Sequence, residues 1–269
     1  MIFQALQLQD FADVHNMTSL SAVLAILSFI VGGLFASFAG VISERLNTGE
    51  SWSRGRSRCN SCSEVLSVVD LIPVLSWITT RGACRRCRAR VPYLYPLTEL
   101  VVGTLFFATS TVYGLSYESI TLAAFYFVLT IIVLYDLRHT VVPFPLSLLL
   151  IGLALLFTIV NSPDLHTLGV SCVTAGIIAL GFFLMHVLSG GRLMGLGDAP
   201  IALALSLVAG SVAFTGLLFS FWIGAAIGIG ILATAERGHR MGIEVPFVPF
   251  LAAGYLLAFF TQWNLFSLL

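Results

Sequence analysis

Lysine is absent from all 269 residues, and charge of either sign is scarce: thirteen arginines and thirteen acids make up 10% of the chain. Soluble domains carry about 25% charged residues. With 58% hydrophobic residues, the chain holds more apolar surface than a soluble fold of its size can hide. Also missing are a basic stretch ahead of the first apolar run and a small-residue cleavage site after it. Residues 1–18, "MIFQALQLQDFADVHNMT", therefore read as a short external tail and not as a cleaved signal peptide. The densest basic run, "CRRCRAR", has no aromatic residue interleaved. That removes a base-stacking surface, and nucleic acid is not an expected partner.

What is present is a series of apolar runs long enough to cross a bilayer. They fall at about 19–43, 96–114, 119–136, 146–161, 168–188, 199–214, 216–235 and 247–266. The expected fold is an all-α polytopic membrane protein of about eight transmembrane helices, with a small cysteine domain between the first two. Residues 1–18 form the tail, 19–43 the first span, 44–95 the cysteine domain and 96–269 a seven-helix core. Nine arginines lie between Arg45 and Arg90, and Arg138, Arg192, Arg237 and Arg240 fall in later alternate loops. Eight crossings put all of them on one face, which the positive-inside rule makes cytoplasmic. The other face receives Asp10, Asp13, Glu118 and Asp164 and no base.

Within the first loop, Cys59, Cys62, Cys84 and Cys87 read C-x2-C-x21-C-x2-C. Two such knuckles can close a tetrahedral site of four thiolates, and the ribbon-like spacing favours zinc over an iron–sulfur cluster. The alternatives are unpaired thiols or two disulfides, and a reducing cytosol disfavours the latter. A loop this small builds little core, so a metal would supply folding energy. Cys172, in the middle of the fifth span, reads as a small packing residue. The surrounding arginines read first as a topology signal against an anionic leaflet.

Two aspartates stand at one membrane edge. Asp136 ends the third span in "IIVLYDLRHTVVPFPL", and Asp198 opens the sixth in "GGRLMGLGDAPIALALSL". A carboxylate near hydrocarbon is costly and marks a functional candidate. Asp198 has an alternative use as a helix N-cap, with Pro200 in the first turn. Asp136 has none, because a helix C-terminus disfavours an anion. On helix ends alone, Asp198 is expected to be the ionised partner and Asp136 the protonated one. Such a pair can split an amide: one carboxylate takes a proton from attacking water while the other protonates the carbonyl oxygen. Gly195 and Gly197 would let the backbone bend sharply and approach an extended substrate. His139 could bond the pair or the incoming peptide, or sit as an interfacial residue. Glu99 could orient a substrate amine or pair with an arginine.

With these residues in view, the chain resembles the bacterial prepilin peptidases, GxGD-type aspartic proteases that process type IV prepilins and pseudopilins. "GLFASFAGVISERL" is similar to the family's first-span motif, and "RSRCNSCSEVLSVVDLIPVLSWITTRGACRRCRARVPYLYPLTEL" to its cysteine domain. "YDLRHTVVP" and "MGLGD" resemble the two catalytic motifs, and "VPFVPFLAAG" the last-span signature. The resemblance implies an enzyme of the bacterial inner membrane that cuts a basic leader from a prepilin on the cytoplasmic side. It then methylates the new N-terminus with S-adenosylmethionine. Asp136 and Asp198 carry over as catalytic residues, and Cys59, Cys62, Cys84 and Cys87 as metal ligands. The chain departs from the pattern at Leu193 and Val248, where glycine is common, at Pro200, where a base is, and at Gly40, where asparagine is. The alternatives are a presenilin-like or signal-peptide-peptidase-like protease, or a metal-stabilised scaffold of a pilus or secretion system. A transporter would place its charge nearer the midplane. The oligomeric state is not legible.

Overall fold

The computed structural model describes residues 19–51, 55–234 and 245–265. The expected external tail and the turn carrying Arg237, His239 and Arg240 lie outside the described residues. Among the described residues all regular structure is helical, apart from two isolated β-bridges in the cysteine loop. The helices are α1 (Ser19–Arg45), the one-turn α2 (Leu75–Thr79), α3 (Leu94–Tyr113), α4 (Tyr117–His139), α5 (Phe144–Asn161), α6 (Leu165–Ser189), α7 (Asp198–Ala209), α8 (Ala213–Thr234) and α9 (Val248–Thr261). The eight long ones follow the order of the expected spans. Among the described residues five apolar runs are long enough to cross a membrane, counting 198–234 as one. The chain is a multi-pass membrane protein.

Local chemistry sets the helix ends. Asp164 caps α6 by accepting the Thr167 N–H at 2.6 Å. Arg138 and His139 occupy the last turn of α4, where cations meet the negative end of the dipole. The run 198–234 breaks at Gly210, whose φ of 57° and ψ of −120° end α7, and a 3-10 turn over Gly210–Val212 leads into α8. The twelve residues of α7 span about 18 Å and the fourteen of α9 about 21 Å at 1.5 Å per residue. Both fall short of a hydrocarbon core of about 30 Å.

Two compact units divide the chain between Ile131 and Ile132, inside α4. In the first, α1 packs along α3, and Phe35 meets Phe106 and Phe127 at 5.9 and 5.2 Å between ring centroids. In the second, α7 is the central element, packed on α5, α6 and α9. Its Ile201, Ala202, Ala204 and Leu205 are fully enclosed. Thr158 on α5 donates to the Leu207 carbonyl at 3.0 Å, and Ser206 on α7 pairs with the Tyr255 hydroxyl on α9 at 2.8 Å. Helices α8 and α9 run antiparallel, Gly216 facing Tyr255 and Gly224 facing Phe250. Between them, a Cβ on Gly254 would stand 2.2 Å from the Ser220 nitrogen. Only glycine permits that approach. Cys172 is exposed: it points away from the helical core, and the expected packing role is corrected.

Candidate active site

Asp136 occupies the last turn of α4 and is only 4% exposed. Its Oδ2 accepts the backbone N–H of Val248, the first residue of α9, at 3.3 Å. That donor is available for a structural reason. A helix start leaves its first N–H groups without intrahelical partners, Pro249 has none to offer, and those of Phe250 and Leu251 go to the Phe247 carbonyl. Asp136 thus ends one helix and receives the positive end of another, which answers why an anion is tolerated there.

Asp198 is 7% exposed at the first position of α7, with Gly197 as the N-cap residue. Its side chain makes no capping bond to its own helix. Oδ2 turns back instead to the Gly195 N–H at 3.1 Å. The N-cap use weighed from sequence is therefore corrected: Gly197 holds the N-cap position, and the carboxylate bonds the Gly195 N–H instead. Both acids lie in the second unit, near enough for the charge of Asp136 to act on Asp198. Each carboxylate holds one backbone donor, the Val248 N–H for Asp136 and the Gly195 N–H for Asp198.

The two glycines divide their work. Neither Gly195 nor Gly197 has a positive φ, so the sharp bend expected there lies upstream, at Gly190 and Gly191 with φ of 59° and 77°. At Gly197 the reason is space, since a Cβ would fall 2.7 Å from Cβ of Val142. Val142 belongs to the 140–143 segment that leaves α4 after Asp136, so this contact sets the loop of one aspartate against the connection of the other. At Gly195 a Cβ would stand 3.4 Å from Asp198 Oδ2, an ordinary contact. Gly197→Ala should lower peptide cleavage about a hundredfold, the cost of shifting a reacting group by about 1 Å. Val142→Ala in the same chain should restore much of it; steady-state cleavage by the two single variants and the double variant checks this. Full activity of Gly197→Ala would show that the contact does not position the pair.

His139 is brought to neither carboxylate. It is exposed, with its ring 4.4 Å from that of Tyr135. Glu99 belongs to the first unit. It pairs with no arginine among the described residues and accepts the Val74 N–H at 2.7 Å. Val74 has φ 61° and ψ −49° at the centre of a three-residue turn closed by Leu75 N–H on the Pro73 carbonyl at 2.5 Å. A β-branched residue there is strained, and the buried carboxylate holds it.

The four cysteines form the second cluster. Cys59, Cys62, Cys84 and Cys87 are all free thiols, and their sulfurs lie within 4.8 Å of one another. Cys59 and Cys87 approach to 3.8 Å. Four thiolates about 2.3 Å from a tetrahedral ion stand about 3.8 Å apart, so the donor set fits a metal, and a disulfide at about 2.05 Å is not formed. The knuckles repeat one backbone pattern. Cys59 N–H donates to Glu64 and Ser63 N–H to Cys59; Cys84 N–H donates to Ala89 and Arg88 N–H to Cys84. Ser63 and Arg88 occupy equivalent left-handed positions, with φ of 56° and 61°. The N–H groups of Cys62 and then Ser61 hold the Cys59 thiol down to about 6.

Acids beside the knuckles are already engaged. Asp70 accepts the Ser67 hydroxyl at 2.6 Å and its N–H at 3.0 Å, and meets Arg85 Nε at 2.8 Å. Those bonds, the hydroxyl's first, hold its carboxyl below the usual range. Glu64 pairs with Arg86, Glu50 with Arg45, and Glu44 accepts the Tyr95 hydroxyl.

Comparison with known proteins places the chain in a family. The Bacterial Peptidase A24 N-terminal domain model matches residues 30–113, and the Type IV leader peptidase family model matches residues 123–232. A prepilin leader peptidase/N-methyltransferase of Aeromonas hydrophila is 31% identical over 224 residues, 80% of this chain and 76% of that protein. The chain belongs to the type IV leader peptidase family. Proteins of the same description from Bacillus subtilis (strain 168) and Myxococcus xanthus (strain DK1622) are 29% and 31% identical. The matches cover 88% and 81% of this chain, and 94% and 66% of those relatives. No solved structure matches. Within this leader peptidase chain, sequence reasoning passed over Val142 and took Val248 only as a departure from the family pattern. Both stand inside quoted motifs, but they act through bulk and through a backbone N–H, neither of which marks a side chain as functional.

Proposed function

We propose that Asp136 and Asp198 are the catalytic pair of a membrane aspartic endopeptidase that removes the leader of type IV prepilins or pseudopilins. The observation that carries this reading is their convergence: two buried carboxylates, 62 positions apart, each held by one backbone N–H and close enough to interact. In the reaction one carboxylate, ionised, takes a proton from water as its oxygen attacks the scissile carbonyl. The other, protonated, gives its proton to the carbonyl oxygen. The tetrahedral adduct then collapses: the C–N bond breaks, the departing amine takes up the proton first drawn from water, and one hydroxyl of the adduct returns its proton to the second carboxylate as C=O re-forms.

The alternate-loop arginines set the orientation, with the cysteine loop and both aspartates at the cytoplasmic face of the bacterial inner membrane. Substrate enters from the lipid, since a prepilin helix cannot cheaply leave it. Because α7 and α9 are shorter than the hydrocarbon core is thick, both carboxylates can act on a bond at the rim of that core.

Cys59, Cys62, Cys84 and Cys87 hold a structural zinc ion, which cross-links the two knuckles and takes no part in peptide chemistry. S-adenosylmethionine is implied for methyl transfer by the relatives' names and by the resemblance. No step is drawn through it, and methylation follows from family membership.

The test is incubation of the purified full-length protein with a prepilin and S-adenosylmethionine, followed by mass spectrometry of the pilin. Leader loss with an added methyl group is expected. An intact prepilin would favour the scaffold reading, and an unmethylated mature pilin would remove the transferase assignment.

A further inference from the structure

His186 has no part in the reading above, and from sequence it is an ordinary polar residue near the end of a span. Its place in the fold is specific. At the end of α6 the chain turns through a Schellman pattern: Gly190, in the left-handed region, donates its N–H toward Val187, and Gly191 donates to the His186 carbonyl at 2.8 Å. The His186 ring then reaches forward across this turn. Its Nδ1 lies 2.9 Å from the Met194 carbonyl oxygen. A Cβ on Gly191 would stand 3.3 Å from the ring, so the turn's backbone lies against it.

The peptide group that His186 holds is the one that matters. The Met194 carbonyl and the Gly195 N–H are two ends of one planar amide. Gly195 donates that N–H to Asp198 Oδ2 at 3.1 Å. Fixing the carbonyl end therefore fixes the direction of the N–H at the other end, and the two hydrogen bonds in series polarise each other. The glycines on either side give this loop little stiffness of its own. Ser189 Oγ accepts the Leu193 N–H at 3.3 Å, but it does not touch the Met194–Gly195 peptide.

We propose that His186 is a positioning residue of the peptidase, acting through the Met194–Gly195 peptide group to hold the backbone donor of Asp198 in place. This rests on Asp198 being catalytic. The ring must carry its proton on Nδ1, since a carbonyl can only accept. Any substitute must therefore offer a donor at that position. Asparagine places its amide nitrogen at the same distance along the side chain, whereas glutamine and alanine do not.

The experiment compares His186→Ala, His186→Asn and His186→Gln in the full-length protein, following prepilin cleavage across pH together with thermal unfolding. His186→Ala should lower kcat about tenfold, the worth of one hydrogen bond to a charged group, with KM changed less than about twofold. Its pH–rate profile should move toward higher pH on the acid limb, because a carboxylate that loses an N–H donor is harder to ionise. His186→Asn should recover both kcat and the profile, and His186→Gln should recover neither, at unchanged unfolding temperature. Wild-type kcat and profile in His186→Ala would overturn the proposal. So would losses that track unfolding temperature in all three variants alike. Asp198→Asn serves as the separate control: if it still cleaves, the catalytic reading itself has failed, whatever the His186 series shows.

Discussion

Asparagine in place of either Asp136 or Asp198 removes prepilin cleavage, and the double variant is no worse than either single one. Each substitution keeps the side chain's shape and an oxygen that can accept the Val248 or Gly195 N–H. What it removes is the ability to exchange a proton. The reaction needs one ionised and one protonated carboxyl at the same moment, so a single carboxyl left alone can fill only one role. General acid–base catalysis is worth about 10²–10⁴-fold, and groups that act as a unit are grossly non-additive. Each single loss should reach at least about 10³-fold, with no further loss in the double variant. Rates multiplying across the two sites would mean that the residues act independently. The pH dependence carries the same signature. Activity falls on the acid side when both carboxyls are protonated and on the alkaline side when both are ionised, so the active form is the singly protonated pair. Either variant should abolish the bell, and a residual bell-shaped activity would point to a different pair.

Serine in place of Cys62 or Cys87 unfolds the cysteine loop while leaving the aspartate chemistry intact in the molecules that remain folded. Structural zinc contributes about 10–16 kcal/mol of folding free energy in small domains, far more than a loop of this size can draw from its own core. The loop's apolar residues show how little core there is, with Val68 at 77% and Leu75 at 59% exposed. The remaining ties, such as Asp70 with Ser67 and Arg85, are partly exposed and individually weak. The expected results are one bound zinc per wild-type chain and a loop between residues 45 and 95 that trypsin cuts rapidly in the variants. Folded yield should fall severalfold, while cleavage per folded chain changes little. Equal trypsin resistance after stripping the metal would rule out a structural role. The Asp70 tie adds a pH dependence of known sign. Its carboxyl is held below the ordinary range, so its contribution is present above the unfolded value of about 3.9 and is lost as acid titrates the folded form. Acid should therefore weaken the loop, in the same direction as protonation of the thiolates.

The sequence by itself determined the helical apolar runs, the cysteine tetrad and the position of two aspartates at helix ends. Hydrocarbon admits few solutions: a run of apolar residues must be a helix, a charge inside it must have a purpose, and paired thiols at fixed spacing must meet. These constraints act locally or through strict spacing, so they can be read without coordinates. Only the tertiary structure decided what surrounds the pair. Asp136 looked misplaced at a helix C-terminus until the start of α9 brought the Val248 N–H to it. Gly197 looked like a hinge until Val142 showed that it is a contact. Glu99 looked like a partner for an amine or an arginine until the Val74 N–H was found on it. His186 looked ordinary until its ring was found on the Met194 carbonyl. In each case the deciding partner is a backbone group or a side chain's bulk, brought there by packing from another part of the chain. Backbone donors are the same at every residue but proline, so no sequence pattern distinguishes the one that folding will leave free.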